Sequence, residues 1–214
     1  MAIPVPGDES AGAMPRKLLD RDGPEALLAR AAHGDEQAWR ELLGLYTRRV
    51  YAMARSRLGR DDLAEEITQS VFATVATKMT GGGYAEQGRF ESWLFRITMN
   101  RVRDEIRRSK HRPEAMDLAE FSLAETHDGV RADGVDAEDL LALRNAIATL
   151  GETDREIIEL RHHAQMSFKQ ISSLLDVPMG TILARHHRAL AKLRSELEAG
   201  QSEKSGSALK RGST

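Results

Sequence analysis

Arg96, Asn100, Arg103 and Arg107 recur at spacings of four, three and four within GRFESWLFRITMNRVRDEIRRSKH, which places them on one face of a helix. Three guanidiniums around one carboxamide suit phosphate oxygens plus a base edge. Just upstream, the Gly81 to Gly83 run with Tyr84 makes a loop whose ring can hold an unstacked base. A second basic cluster, VPMGTILARHHRALAKLR from Val177 to Arg194, has four Arg or Lys, two histidines and no acid. Wound as a helix, it turns Ile182, Ala189, Leu190, Leu193 and Leu197 inward. Ala184 and Arg188 lie opposite, flanked by Leu183 and His187 on one side and by Arg185 and Lys192 on the other. Such a helix can enter a major groove and touch phosphates.

These side chains need helices to carry them, and the apolar spacing supplies helices. PEALLARAAHG reads as a short helix ending at Gly34, and Asp35 caps a longer one running to Gly59, with Trp39, Leu42, Leu43, Tyr46, Val50 and Met53 at three-to-four spacing. Leu63, Ile67, Val71, Val75 and Met79 recur every four residues beneath a polar face of Asp62, Glu65, Glu66 and Gln69. In the Arg96 helix, Phe90, Trp93, Leu94 and Ile97 form one apolar row, and Phe95, Met99, Val102 and Ile106 another. The last helices carry two capping-box signatures, Thr153 with Glu156 and Ser167 with Gln170. SFKQISSLLDVPMGTILARHHRAL has the layout of a helix-turn-helix, with Asp176 at the reversal and Pro178 opening the second helix.

The predicted architecture is all-α: two small helical domains, residues 23–111 and 136–199, joined by an acidic flexible linker at 112–135. Residues 1–22 and 200–214 read as a flexible N-terminal tail and a disordered C-terminal tail. A formal net charge of only −2 hides a strong separation of charge. Arg89 to Arg112 holds eight Arg or Lys against three acids, net +5, whereas Pro113 to Asp139 holds nine acids against Arg131 alone, net −8. Aromatics are 5% of the chain, which favours helices over a sandwich. With no cysteine, disulfides, thiolate nucleophiles and Cys-based zinc sites are excluded, in keeping with a reducing compartment. Adjacent histidines at 162/163 and 186/187 point about 100° apart on a helix, and no Cys or carboxylate completes a metal set. No phosphate-cradling glycine motif or nucleophile elbow appears, so no enzyme and no cofactor are expected. No apolar run reaches the ~20 residues of a membrane span, and a cytoplasmic protein is expected.

Two matches then coincide. The chain resembles the bacterial sigma-70 superfamily, in particular the small extracytoplasmic-function type that keeps only regions 2 and 4. DLAEEITQSVF and SWLFRITMNRVRD carry the region 2 likeness, and the helix-turn-helix with VPMGT carries that of region 4. The resemblance implies a transcription initiation factor that binds core RNA polymerase and directs it to promoters. It implies that Asp62, Leu63, Glu65, Glu66 and Gln69 face the clamp helices of the largest polymerase subunit. Asn100 would read a flipped base of the minus-ten element, with the Gly81 to Gly88 loop, including Tyr84, as the capture loop and Trp93 beneath it. Arg96, Arg103 and Arg107 would hold the backbone. The minus-thirty-five element would be met by the helix from Pro178, through Thr181, Leu183, Ala184, Arg185, His187, Arg188 and Lys192. The acidic linker would thread near the active-site cleft and RNA exit channel, and an anti-sigma factor is a further candidate partner. Where the family usually writes GTVKSR or GTVRSR, this chain writes GTILAR. Phosphate anchoring by Arg185 and Arg188 survives that change, while base readout shifts. The alternative reading is a stand-alone helix-turn-helix regulator; it has no use for the 61–79 face or the Arg96/Asn100 stripe.

Overall fold

A computed structural model describes residues 24–82, 89–110 and 137–211, and these residues form eight helices. The linker and both predicted tails, apart from residues up to 211, lie outside them, as does Tyr84. The first unit comprises α1 (Pro24–Ala32), α2 (Glu36–Leu58), α3 (Asp61–Thr80) and α4 (Phe90–Lys110). The second comprises α5 (Ala137–Ala148), α6 (Glu152–His162), α7 (Phe168–Leu175) and α8 (Met179–Arg211).

Local chemistry sets the helix ends. Asp35 caps α2 by accepting from the backbone N–H groups of Gln37 at 2.8 Å and Ala38 at 3.1 Å. Gly59 closes the same helix at φ 70°, a left-handed position that costs glycine nothing sterically. α7 starts on the expected Ser167/Gln170 capping box and ends on Asp176 at φ 55°, ψ 45°, the left-handed reversal between the two helices of the helix-turn-helix. The second expected box does not form. α6 begins two residues earlier than that box requires, at Glu152, with Gly151 as a cap that offers no side chain. Thr153 is therefore already inside the helix, and Glu156 is drawn instead to an arginine of the first unit.

The core follows the expected stripes. Leu42, Tyr46, Val50 and Met53 of α2, Val71 and Val75 of α3, and Leu94 and Phe95 of α4 are all at most 2% exposed. Each such side chain contributes roughly 1.5–3 kcal/mol relative to solvent exposure. Two apolar positions depart from expectation: Leu43 is 38% and Leu190 41% exposed. The inward face of α8 is narrower than the sequence pattern suggested, with Ile182, Ala189 and Leu193 completing it at 0%, 1% and 6% exposure. α8 also continues to Arg211, across the stretch expected to be a disordered tail. Glu, Ala, Gln and Lys propagate a helix there, and Gly200 and Gly206 weaken it by about 1 kcal/mol each relative to Ala without breaking it.

The two units are packed against each other, α6 on α2 and α7 on α4. One apolar cluster runs through both, joining the α2–α4 core to Ile157, Leu160, Met166, Ile171 and Ile182. A smaller cluster of Ala146, Leu150, Ile158, Ala189 and Leu193 holds α5 and α6 to α8. The caps are open to a direct test by thermal denaturation. Ser167→Ala is expected to cost about 1 kcal/mol, whereas Thr153→Ala should leave the melting temperature nearly unchanged.

Candidate nucleic-acid interface

The α4 stripe forms as its spacing implied. Buried Leu94, Phe95, Met99 and Val102 fix the helix from below, so Arg96, Asn100, Arg103 and Arg107 project from the opposite side, all exposed. Phe90 and Trp93 pack ring to ring at 5.9 Å near its N-terminal end. The arginines differ in what they meet. Arg107 Nη1 lies 3.5 Å from Asp104 Oδ1 on its own helix. Arg96 Nη2 donates to the Leu174 carbonyl at 3.1 Å, and Arg103 Nη2 pairs with Glu156 Oε1, so both are engaged by the second unit.

Around this stripe the seam between the units is dense in arginine. Arg49 of α2 donates from Nε to the Ala164 carbonyl at 2.8 Å and from Nη2 to the same oxygen at 2.5 Å, and Nη1 bonds Glu91 Oε1 at 2.7 Å. Glu91 Oε2 in turn accepts from Gln170 Nε2 at 2.5 Å, so the capping box of α7 is tied to α4. Arg57 pairs with Glu152 Oε1, and its Nη1 sits 3.5 Å from Glu159 Oε2. Both carboxylate oxygens of Glu159 are buried without a hydrogen-bond donor. Burial pushes the Glu159 carboxyl up to about 8 against the pull of Arg57, and burial likewise raises Glu156.

On α8, Thr181, Leu183, Ala184, His187 and Arg188 are exposed together and Arg185 is half-buried. The exposed apolar positions Met179 and Leu183, 50% and 42% accessible, border this surface. Lys192 is exposed too, but its Nζ donates to the Thr149 carbonyl at 2.7 Å, clipping α8 to the end of α5. On α3, Asp62, Glu65, Glu66 and Gln69 are exposed and Leu63 is half-buried, as the polar-over-apolar pattern required. The Arg60 guanidinium beside Asp62 accounts for most of the lowering of its carboxyl below the usual range. Glu65 and Glu66 are exposed carboxylates of this face that stand outside that pairing.

The histidines behave differently from their sequence spacing. His162 and His186, on α6 and α8, stack with Nε2 atoms 3.2 Å apart, with Phe168 edge-on to His186. Burial lowers the His162 pKa, favouring the neutral ring. Among the described residues no group of three or more His, Cys, Asp or Glu gathers as a metal site. Among them, too, no helix is long and apolar enough to cross a membrane.

Comparison with known proteins converges on one family. Residues 42–112 match the model of Sigma-70 region 2 and residues 146–195 that of Sigma-70, region 4. The chain is 31% identical over 198 residues to the ECF RNA polymerase sigma factor SigE of Mycolicibacterium smegmatis, covering 87% of this chain and 73% of that one. It is 30% identical over 185 residues to the RNA polymerase sigma factor CnrH of Cupriavidus metallidurans, covering 83% and 96%. In fold it resembles CnrH solved with the cytosolic domain of CnrY, at TM-score 0.60 and 24% identity, with 81% and 96% of the two chains covered.

The ionisation of Glu159 has a measurable consequence. Its folded pKa lies above its unfolded value near 4.5, so its contribution favours the folded state at low pH and is lost as pH rises from there to about 8. Glu159→Gln removes that loss. The gap in melting temperature between variant and parent should widen from pH 5 to about pH 8 and then level.

Proposed function

Since this chain belongs to the sigma-70 family of RNA polymerase sigma factors, of the extracytoplasmic-function type, and directs polymerase to promoters, we propose how its residues divide that task. Asn100 reads a base of the minus-ten element, and Arg96, Arg103 and Arg107 hold the adjoining backbone; Tyr84, which lies outside the described residues, is assigned to the same element from the sequence. What supports this reading is the exposed carboxamide of Asn100 set among guanidiniums on a helix whose opposite face is packed by Leu94, Phe95, Met99 and Val102. A carboxamide can pair bidentately with a base edge, and a guanidinium can bridge phosphate oxygens. α8 meets the minus-thirty-five element through Thr181, Leu183, Ala184, Arg185, His187, Arg188 and Lys192. Arg185 and Arg188 anchor phosphates, while Leu183 and Ala184 make apolar rather than hydrogen-bonded contacts.

The exposed Glu65, Glu66 and Gln69, with Asp62 and Leu63, form the face toward the polymerase clamp helices. The reading as a stand-alone regulator falls away, because relatives matching most of this chain are polymerase sigma factors. The protein acts in the cytoplasm, where polymerase and promoters are, as an initiation factor rather than an enzyme. One solved relative is a complex with the anti-sigma factor NepR from Bartonella quintana. An anti-sigma factor is correspondingly a candidate partner for this chain.

In vitro transcription from a randomised promoter pool tests the DNA assignments. Asn100→Ala should flatten base preference at one minus-ten position, and a preference profile identical to the parent's rules out that role. Arg107→Ala should instead weaken binding across all sequences and reduce the salt slope of log K by about 1. On the polymerase side, reversing Glu65 and Glu66 to lysine should cut co-purification with core polymerase roughly tenfold or more, with the helical circular-dichroism signal retained.

A further inference from the structure

On the first turns of α8 the exposed side chains are Met179, Thr181, Leu183 and Ala184. None of the four is charged, and only the Thr181 hydroxyl is a conventional hydrogen-bonding group. Met179 and Leu183, four residues apart, form one row at 50% and 42% exposure, and Ala184 stands beside them, turned away from buried Ile182 and Ala189. In a helix-turn-helix, the N-terminal turns of the second helix are the part that reaches base edges in the major groove. The guanidiniums come just after, Arg185 half-buried and Arg188 exposed, and no acid stands between Val177 and Arg194. The surface therefore joins a cationic hold suited to phosphates to an apolar patch where base edges would lie.

We propose that Ala184 and Leu183, the latter with Met179 in its row, read the C5-methyl groups of thymines, so that the upstream element this protein selects is fixed by thymines on one strand at adjoining base pairs. The inference rests on the assignment of α8 to the minus-thirty-five element made above, and it adds Met179 to that contact. Among base edges in the major groove the thymine methyl is the one apolar substituent; the rest are carbonyl oxygens, ring nitrogens and amino groups. A guanine O6 or a cytosine amino group set against Leu183 loses water and gains no partner, whereas a methyl gains contacts. Selection thus works both by attraction and by exclusion. Because the methyl belongs to the thymine side of the pair, A·T and T·A are told apart, and the strand is fixed. The Thr181 hydroxyl can both donate and accept, so it discriminates little. Leu190, also exposed, lies about two turns beyond Leu183 and past the turns that reach bases. The acid-free run around the patch favours a polyanion over an apolar protein partner.

Uracil isolates the methyl, since it pairs as thymine does and keeps the same O4 acceptor. Holoenzyme formed from the full-length chain and core polymerase first selects upstream sequences from a randomised promoter pool, and adjoining thymines on one strand are expected. Replacing each of these by uracil in the selected promoter should weaken competitive binding of the holoenzyme about fourfold per methyl, with no effect of uracil elsewhere upstream. Leu183→Gln, at an exposed position, should abolish that penalty at one base pair and move the selected base there to adenine, whose N7 and N6 a carboxamide matches. Met179→Ala should reduce the penalty at the same base pair. Uracil equivalent to thymine at every upstream position overturns the proposal. So does a penalty that Leu183→Gln leaves intact throughout, which traces the effect to duplex deformability rather than contact, and so does a loss of transcription by Leu183→Gln that ignores upstream sequence, which assigns the row to a protein partner. Arg188→Ala separates these failures from that of the underlying assignment. If it weakens binding to all upstream sequences alike while uracil is neutral, α8 still meets DNA and only methyl reading is lost; if neither change matters, the assignment of α8 falls as well.

Discussion

The arrangement of the whole molecule turns on the guanidinium of Arg49. It lies over the rings of Tyr46 and Phe95, 5.0 and 5.2 Å from their centroids, and all three of its nitrogens are used. Two serve the Ala164 carbonyl just past α6 and one serves Glu91 of α4, so a single side chain joins α2, α4 and the second unit. At 12% exposure on each side, the Arg49–Glu91 pair is largely removed from water. Deleting one partner would strand the other charge, a loss of about 3–5 kcal/mol for a buried pair. Gln170 on the other oxygen of Glu91 extends the same network into the start of the helix-turn-helix. The planar fork of arginine, with its five fixed donors, makes such a junction feasible where a lysine would not.

From that junction outward, the two proposed reading surfaces are held very differently. The α4 stripe stands on a deep apolar floor common to three helices. The α8 surface stands on a thinner one, where Ile182, Ala189 and Leu193 are its buried contacts, and it is steadied by the stacked His162/His186 pair and the Lys192 clip to α5. The left-handed Asp176 sets the angle between α7 and α8, hence the direction in which the α8 surface points. These are local devices, and each acts within one unit.

Local devices are also what sequence exposes best. The Asp35 and Gly59 ends of α2, the Ser167/Gln170 box, the Asp176 turn and the α4 stripe all follow from spacing within a single helix or turn. Glu156 shows where that logic ends. Its position three residues after Thr153 is the signature of a cap, yet its partner Arg103 lies 53 residues away. A charged side chain able to satisfy either a near backbone N–H or a distant guanidinium gives the same local pattern in both cases. Arg49 and Arg57 were likewise invisible as seam residues, since an arginine on an amphipathic helix reads as solvated until its neighbour across the chain is known. Leu190 failed for a geometric reason: at its edge of the apolar stripe, small differences in how α8 sits decide between core and surface.

Two of the contacts that join the units are made to backbone carbonyls, Ala164 by Arg49 and Leu174 by Arg96. Both oxygens belong to the C-terminal ends of helices, where intrahelical donors run out. A carbonyl is present whatever side chain its residue carries, so docking at these two points makes no demand on residue identity in the helix-turn-helix. The side chains along α8 are thereby released from one of their two duties. If α8 meets DNA as proposed, its exposed side chains can be exchanged for others that favour a different sequence while the grip of the first unit on these two carbonyls persists.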